Sequence, residues 1–515
     1  MNSCNKTKLS VIIFLVVIIL AVRFLGVFWG VKTYSNLDFI HYHPDEFRLA
    51  VIADEFLTKT TNENVSYFKG FPFQMACVSL LLNISNGVDK IGLILSGRVL
   101  SVLYGILTIM LIYFLGKELF QNRLLALIAG AFLFLSGLHV TQSHYAVVDA
   151  CSTFWIYATI LFSLLSVRKQ KNIYIIISMI CCGISFATKM AWISLIPILY
   201  ILIKQKRRFY YYPITLFFIF IVFIIANGAS YTFTNFILTL REIFYDNIIV
   251  ILNHNIFLNP IIYFISLIPG LGLPIFLLAL YGIFRFLNKK IDFRDIVKND
   301  VFYIVILPLM CYTISICFCG TSFSRHLLPI IPFLTIMSAF GLMEVRKLKT
   351  VSSRKTKFRN IVLLIFVYQL VYVVSTEYYF MFDTRETAYR WVENNIPEGK
   401  KITVTPYVRM PLLGKKYNVS DNFDSRFLIL HEAYFYRYIR SELNPFKQYP
   451  DWDEIYHGDF NHFIAIQKLF KGQLNYKLLK KFEVKCYMPE MYFYKKFLGT
   501  YPLFIGDTLI YGQVE

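Results

Sequence analysis

Ser96–Phe120 reads SGRVLSVLYGILTIMLIYFLGKELF: an arginine, an uncharged and mostly apolar run from Val99 to Gly116, then Lys117 and Glu118. Wound as a helix rising ~1.5 Å per residue, such a run nearly matches the ~30 Å of bilayer hydrocarbon. This segment decides the fold class because the chain repeats it. Runs of spanning length, or close to it, also begin near Val11, Leu124, Cys151, Ile173, Ala191, Pro213, Ile261, Val301, Leu327 and Ile361. Together they predict about eleven transmembrane helices, allowing for short and tilted ones. The composition agrees: 57% of the 515 residues are hydrophobic and 16% charged, and the mean hydropathy is +0.55. No water-soluble globular domain of this size carries that balance.

The net charge of +20 lies in short clusters between apolar runs, not along one amphipathic face or tail. That pattern is a topology signal and gives no footprint for nucleic acid. With Lys6 and Lys8 in the cytoplasm, counting crossings sends Lys117 to Arg123, RKQKN, KQKRR, RFLNKKIDFRDIVK and RKLKTVSSRKTKFRN to one side. One missed span would put the later clusters on the wrong side. The first span then reads as an uncleaved signal anchor. The parts left facing outward include a first loop over 32–98, a short link around HVTQSHYAVVDA, residues 230–260, and the chain beyond Thr376.

The expected division is a transmembrane module, 1–376, followed by an extracytoplasmic α/β domain, 377–515. In the latter, DTRETAYRWVENNIPEGKKITVTPY reads as a helix with Asp383 and Glu386 as its capping box, a Pro-Glu-Gly turn and a β-branched strand. HEAYFYRYIR reads either as plain core or as a surface on which carbohydrate stacks. The nine cysteines are scattered, with no CxxC and no Cys/His zinc spacing; Cys317 and Cys319 read as small packing residues.

Cations close to the membrane on the outer side run against the orientation rule and need a local reason. They are Arg48, Arg98, Lys189 and Arg325. Each alone is explained by snorkelling, the reading given also to Arg23, whereas several in one aqueous pocket form an anion site. Asp45, Glu46 and Asp149 share this geography, with helix capping and dipole contacts as their alternative reading. His41, His43 and His144 beside Asp45 make a weak metal pattern. Pro269, Gly270, Gly272 and Pro274 mark either a kink or an irregular helix lining a cavity.

One carboxylate ringed by cations suits transfer of a sugar from a lipid phosphate. The departing phosphate needs its charge neutralised, and the acceptor hydroxyl gains from a positioned base. A glycoside hydrolase instead uses two carboxylates and no anion cradle. The cytoplasmic links contain no Walker loop, GxGxxG or DxD, so a nucleotide-activated donor has no visible site there. A transporter or flippase for a lipid-linked glycan is the rival reading, since it too needs outward cations and broken helices.

HPDEFRLAVIADEF, SGRVLSVLYGILTIMLIYFLGKELF, GLHVTQSHYAVVDACSTFW, FATKMAWISLIPIL and SRHLLPIIPFL, in this order between Leu37 and Leu342, resemble the GT-C superfamily of polyprenyl-phosphate-sugar glycosyltransferases. The branch is that of the protein O-mannosyltransferases and the lipid A aminoarabinose transferase. The resemblance implies an all-α polytopic membrane protein of GT-C fold with an outer α/β domain. Its activity would be an inverting one, on a polyprenyl-phosphate monosaccharide and a protein, lipid or polysaccharide hydroxyl, at the outer face of a bacterial cytoplasmic membrane. It assigns Asp45 as base with Glu46 beside it, and Asp149 as the second acidic position. Arg48, Lys189 and Arg325 become donor-phosphate ligands, and the outward placement of Arg98 adds it to the expected cradle. Where relatives often have tyrosine, this chain has His326. His43, Lys69 and His144 are further candidate substrate contacts. No cofactor is implied, and a divalent metal is not favoured.

Overall fold

The computed structural model describes residues 23–29, 43–58, 68–82, 90–189, 191–205, 211–228, 234, 237, 241, 259–288, 300–318, 324–348, 355–405, 407–408, 416–420, 423–439, 457–485, 487–498 and 505–514. The expected span at Val11, His41, most of 230–260, Cys319 and Cys486 lie outside them. The chain divides into two compact units; the second takes in residues 28–44 and everything from Ser375.

The first unit is helical. Two helices, α1 (Pro44–Thr58) and α2 (Gly70–Leu81), occupy the first loop. They are followed by α3 (Lys90–Phe120), α4 (Arg123–Phe134), the short α5 (Gly137–Gln142), α6 (Val148–Lys169), α7 (Asn172–Lys189), α8 (Leu195–Lys204) and α9 (Tyr211–Ala226). Then come α10 (Asn259–Leu271), α11 (Leu273–Asn288), α12 (Leu307–Cys317) behind a π turn at Phe302–Ile306, α13 (Ile331–Arg346) and α14 (Lys355–Met381), whose residues from Ser375 onward belong to the second unit. Among the described residues, four helices are long and apolar enough to cross a bilayer, or five if the bent pair α10–α11 is counted as one span. The shorter apolar helices include α4, α9 and the α12 region.

Side-chain placement suits lipid as the solvent. On α3, Leu103, Leu107, Met110 and Phe114 are exposed on one stripe, while Ser101 and Thr108 are buried. On α14, Leu363, Leu364, Val367 and Val371 are exposed. Helices surrounded by hydrocarbon gain nothing by hiding leucine; close packing and internal hydrogen bonds join them. The Ser163 and Ser178 hydroxyls accordingly meet at 2.7 Å between α6 and α7. The hairpins turn on polar residues: Gln121 and Gln170 adopt positive φ, and the Asn122 side chain caps α4 by accepting from the N–H groups of Leu124 and Leu125.

The Pro/Gly-rich stretch breaks the helix in two. The α10 and α11 axes differ by 119° about Gly272, whose φ is +86°. Breaking the helix frees carbonyls that hydrocarbon cannot hydrate, and side chains satisfy them. Tyr372 donates to Pro269 at 2.5 Å, Ser136 to Gly270 at 2.7 Å and Gln369 to Leu271 at 2.7 Å. The Arg23 expectation is corrected in the same way. Its side chain is fully buried and does not snorkel, donating to the carbonyls of Phe134 and His139 and to the Ser143 hydroxyl.

The second unit contains the capped helix read from the sequence, α15 (Thr384–Asn395), where the Asp383 carboxylate accepts from the Arg385 N–H. It also contains β1 (Lys401–Val404), β2 (Asn418–Ser420), β3 (Phe427–His431), α16 (Glu432–Ile439), α17 (His457–Phe470), β4 (Tyr476–Phe482), α18 (Pro489–Leu498) and β5 (Thr508–Gln513). The sheet order is β2-β1-β3-β5-β4, parallel from β2 to β3 and antiparallel at β5 and β4. In HEAYFYRYIR, Tyr434 and Phe435 belong to the core with Leu428, Leu430 and Ile466, so those two rings are not a carbohydrate platform.

Candidate active site

Asp45 and Glu46 are neighbours on the first turn of α1 with opposite fates. The Glu46 carboxylate is fully buried and takes both ends of the Arg98 guanidinium, Nε at 2.7 Å and Nη2 at 2.8 Å. Glu46 also accepts from the Ala146 N–H at 2.9 Å, and Arg98 donates to the Val27 carbonyl at 2.9 Å. A bidentate pair with its remaining lone pairs and protons satisfied is the form in which buried charges persist. With no solvent-facing surface, this pair ties α1 to α3 and to the link ahead of α6.

Asp45 faces outward. Its carboxylate accepts from Arg325 Nη1 at 2.6 Å, and the two side chains are 26% and 20% exposed. Arg325 lies in a 3-10 turn, Ser324–Leu327, ahead of α13. Asp149, in the first turn of α6, is buried and ion-paired with Lys189, the last residue of α7, whose side chain is one-third exposed. The two pairs share one field, since Arg325 and His326 act electrostatically on Asp149 as well. Segments far apart in the chain therefore bring two carboxylates and two accessible cations together. Arg48, one turn beyond Asp45 on α1, is exposed.

Tyrosines hold the turn that carries Arg325. The Tyr263 hydroxyl is 3.0 Å from His326 Nδ1, and the Tyr312 hydroxyl donates to the His326 carbonyl at 2.9 Å. Tyr157 donates to the Pro329 carbonyl at 2.8 Å and accepts from the Phe333 N–H at 3.0 Å. None of the three stood out in the sequence, where each is one tyrosine among 36. Burial first, then the Lys189 and Arg325 cations, pushes the His326 imidazole down to about 3, so it is neutral near pH 7.

The other expected contacts are placed elsewhere. Lys69 is buried against Glu55 at 3.2 Å, with the Phe56 ring 6.0 Å from its ammonium. Its backbone N–H donates to Asn227 at 2.7 Å, so Lys69 joins α1, α2 and α9 and does not line the outer pairs. His144 is buried against Gly26, and burial followed by Arg23 pushes it down to about 3. His43 is buried and belongs to the second unit. Among the described residues, no three His, Cys, Asp or Glu side chains gather as metal ligands.

Residues 78–230 match the family model for dolichyl-phosphate-mannose-protein mannosyltransferase. Among solved structures, ArnT from Cupriavidus metallidurans in the apo state is similar at 13% identity and TM-score 0.50, covering 81% of this chain and 87% of that one. The same protein bound to undecaprenyl phosphate gives 14% identity, TM-score 0.49 and coverages of 75% and 72%. The archaeal oligosaccharyltransferase AglB from Archaeoglobus fulgidus, in complex with an inhibitory peptide and a dolichol-phosphate, gives 12%, 0.47, 97% and 88%. No curated protein sequence matches the chain.

Proposed function

We propose that this chain, which has a GT-C fold and matches the mannosyltransferase family over residues 78–230, is an inverting membrane glycosyltransferase. It moves a monosaccharide from a polyprenyl phosphate to an acceptor hydroxyl at the outer face of the cytoplasmic membrane. The observation that carries this reading is the partly exposed Asp45–Arg325 pair within one electrostatic field with Asp149 and Lys189. The matched family's name supports a lipid-phosphate sugar as donor.

Asp45 takes the proton from the acceptor hydroxyl as its oxygen attacks the anomeric carbon. The bond from that carbon to the phosphate oxygen breaks on the opposite face, and a single displacement inverts the centre. The leaving phosphate gains a negative charge, which Arg325 and Lys189 meet, with Arg48 at the rim. These cations are paired with carboxylates in the structure, so the phosphate exchanges one anionic partner for another and the cations are already oriented. Asp149 positions Lys189, while Glu46 and Arg98 position α1.

The test is to reconstitute the purified chain in vesicles with labelled polyprenyl-phosphate sugar and a panel of protein, lipid A and polysaccharide acceptors. Covalent transfer that disappears in Asp45→Asn is expected. Label crossing the vesicle wall without any covalent product would overturn the reading in favour of a flippase.

A further inference from the structure

Helix α18 carries its hydrophobic residues on the wrong side for a helix facing water. Met488, Met491 and Tyr494 point into the second unit at a helical spacing, as expected of a packed stripe. The opposite stripe should be polar, yet it consists of Tyr492, Phe493, Lys496 and Phe497, with Phe493 50% and Phe497 60% exposed. Tyr487, just before the helix, is exposed as well. Its ring meets Tyr378 edge-on at 5.5 Å, and its N–H donates to the Tyr379 hydroxyl at 3.4 Å. Tyr378 in turn stacks on Phe382 at 4.4 Å. Tyr378 and Tyr379 stand on the last turn of α14, and Phe382 follows directly.

We infer that the outer face of α18, together with Tyr487 and the Tyr378–Phe382 stack, is an anchor that beds into the lipid–water interface of the bilayer that α14 crosses. Three observations choose lipid over a protein partner. The patch is continuous, through Tyr487, with the C-terminal end of an apolar helix of spanning length. Its composition is tyrosine and phenylalanine with lysine, the mixture that settles where one end of a side chain is apolar and the other wet. Lys496, exposed in the last turn, carries charge that anionic headgroups attract, whereas Lys495 beside it turns inward to Glu432 at 3.2 Å and Asp507 at 3.0 Å. The inference does not depend on the proposed reaction.

Photocrosslinking in the intact chain tests it. p-Benzoylphenylalanine is placed at Phe493, at Phe497 and, as a buried control, at Tyr494, and each protein is reconstituted in vesicles of labelled phosphatidylethanolamine and phosphatidylglycerol. Irradiation should give several-fold more lipid adduct at 493 and 497 than at 494, and raising the phosphatidylglycerol share should increase it in a way that Lys496→Gln reduces. Lipid adduct at 493 and 497 no higher than at 494 would overturn the inference. Crosslinking there to a second copy of the chain in place of lipid would also overturn it, assigning the face to self-association.

Discussion

Asp45 and Arg325 are 280 positions apart in the chain and 2.6 Å apart in space. Both side chains are partly exposed, so their contact contributes little to stability, on the order of 0–1 kcal/mol. The proposed function gives them a chemical role, and partial exposure separates them from the buried Glu46–Arg98 pair beside them.

Asp45→Asn and Arg325→Gln should each lower sugar transfer by about a hundredfold or more while leaving the melting temperature close to that of the parent. The double variant should be little worse than the worse single one, because the two groups serve one transition state. Initial rates and thermal unfolding of the same preparations decide it. An Asp45→Asn protein with the parent's rate would remove Asp45 as the base.

Glu46→Gln or Arg98→Met should act through folding. Removing one partner of a buried charge pair leaves the other uncompensated, at a cost of roughly 3–5 kcal/mol. The singles should give less folded protein and a lower melting temperature, and the combined Glu46→Leu/Arg98→Met chain should recover part of the loss. Singles that melt like the parent but are inactive would move the pair into the chemistry.

Gly282 on α11 faces Gly341 on α13, and a β-carbon at Gly282 would lie 2.0 Å from the Met337 carbonyl oxygen. One at Gly341 would lie 2.3 Å from the Leu278 carbonyl oxygen. Gly282→Ala and Gly341→Ala should each destabilise by about 1–3 kcal/mol, because neither backbone can retreat cheaply. Thermal unfolding in detergent reads the effect, and an unchanged transition would mean that the helices separate without penalty.

His431 makes the second unit sensitive to acid. Burial first, then the Arg385 cation, holds its imidazole well below the ordinary value of 6.5. Below that value the unfolded chain takes up a proton that the folded chain refuses. Stability is therefore complete above pH 6.5 and falls as the pH drops, by up to ~1.4 kcal/mol per pH unit from this group. Protection factors along β3 and β5, which are corrected for the intrinsic slowing of exchange in acid, should fall between pH 7 and pH 5, and His431→Gln should flatten that dependence. Equal acid sensitivity in both proteins would assign it to other groups.

Much of this was legible in the one-dimensional pattern. Apolar runs between basic clusters predict helices that the structure shows at α3, α6, α7 and α14, because a bilayer imposes length and composition on each segment separately. The Asp383 cap and the β-branched strand after it are local in the same sense. The shortness of α4 and the 119° bend at Gly272 were less legible, since both depend on neighbours that satisfy freed backbone groups.

The site divides along the same line. Residue type and position relative to the membrane picked out Asp45, Asp149, Lys189 and Arg325, because a charge near hydrocarbon needs a local reason wherever it occurs. Adjacent sequence could not say that Asp45 opens outward while Glu46 closes on Arg98, nor that Tyr263 and Tyr312 hold the turn bearing Arg325. Burial and pairing are properties of three segments meeting, and only the folded chain decides which of two neighbouring carboxylates keeps its access to water.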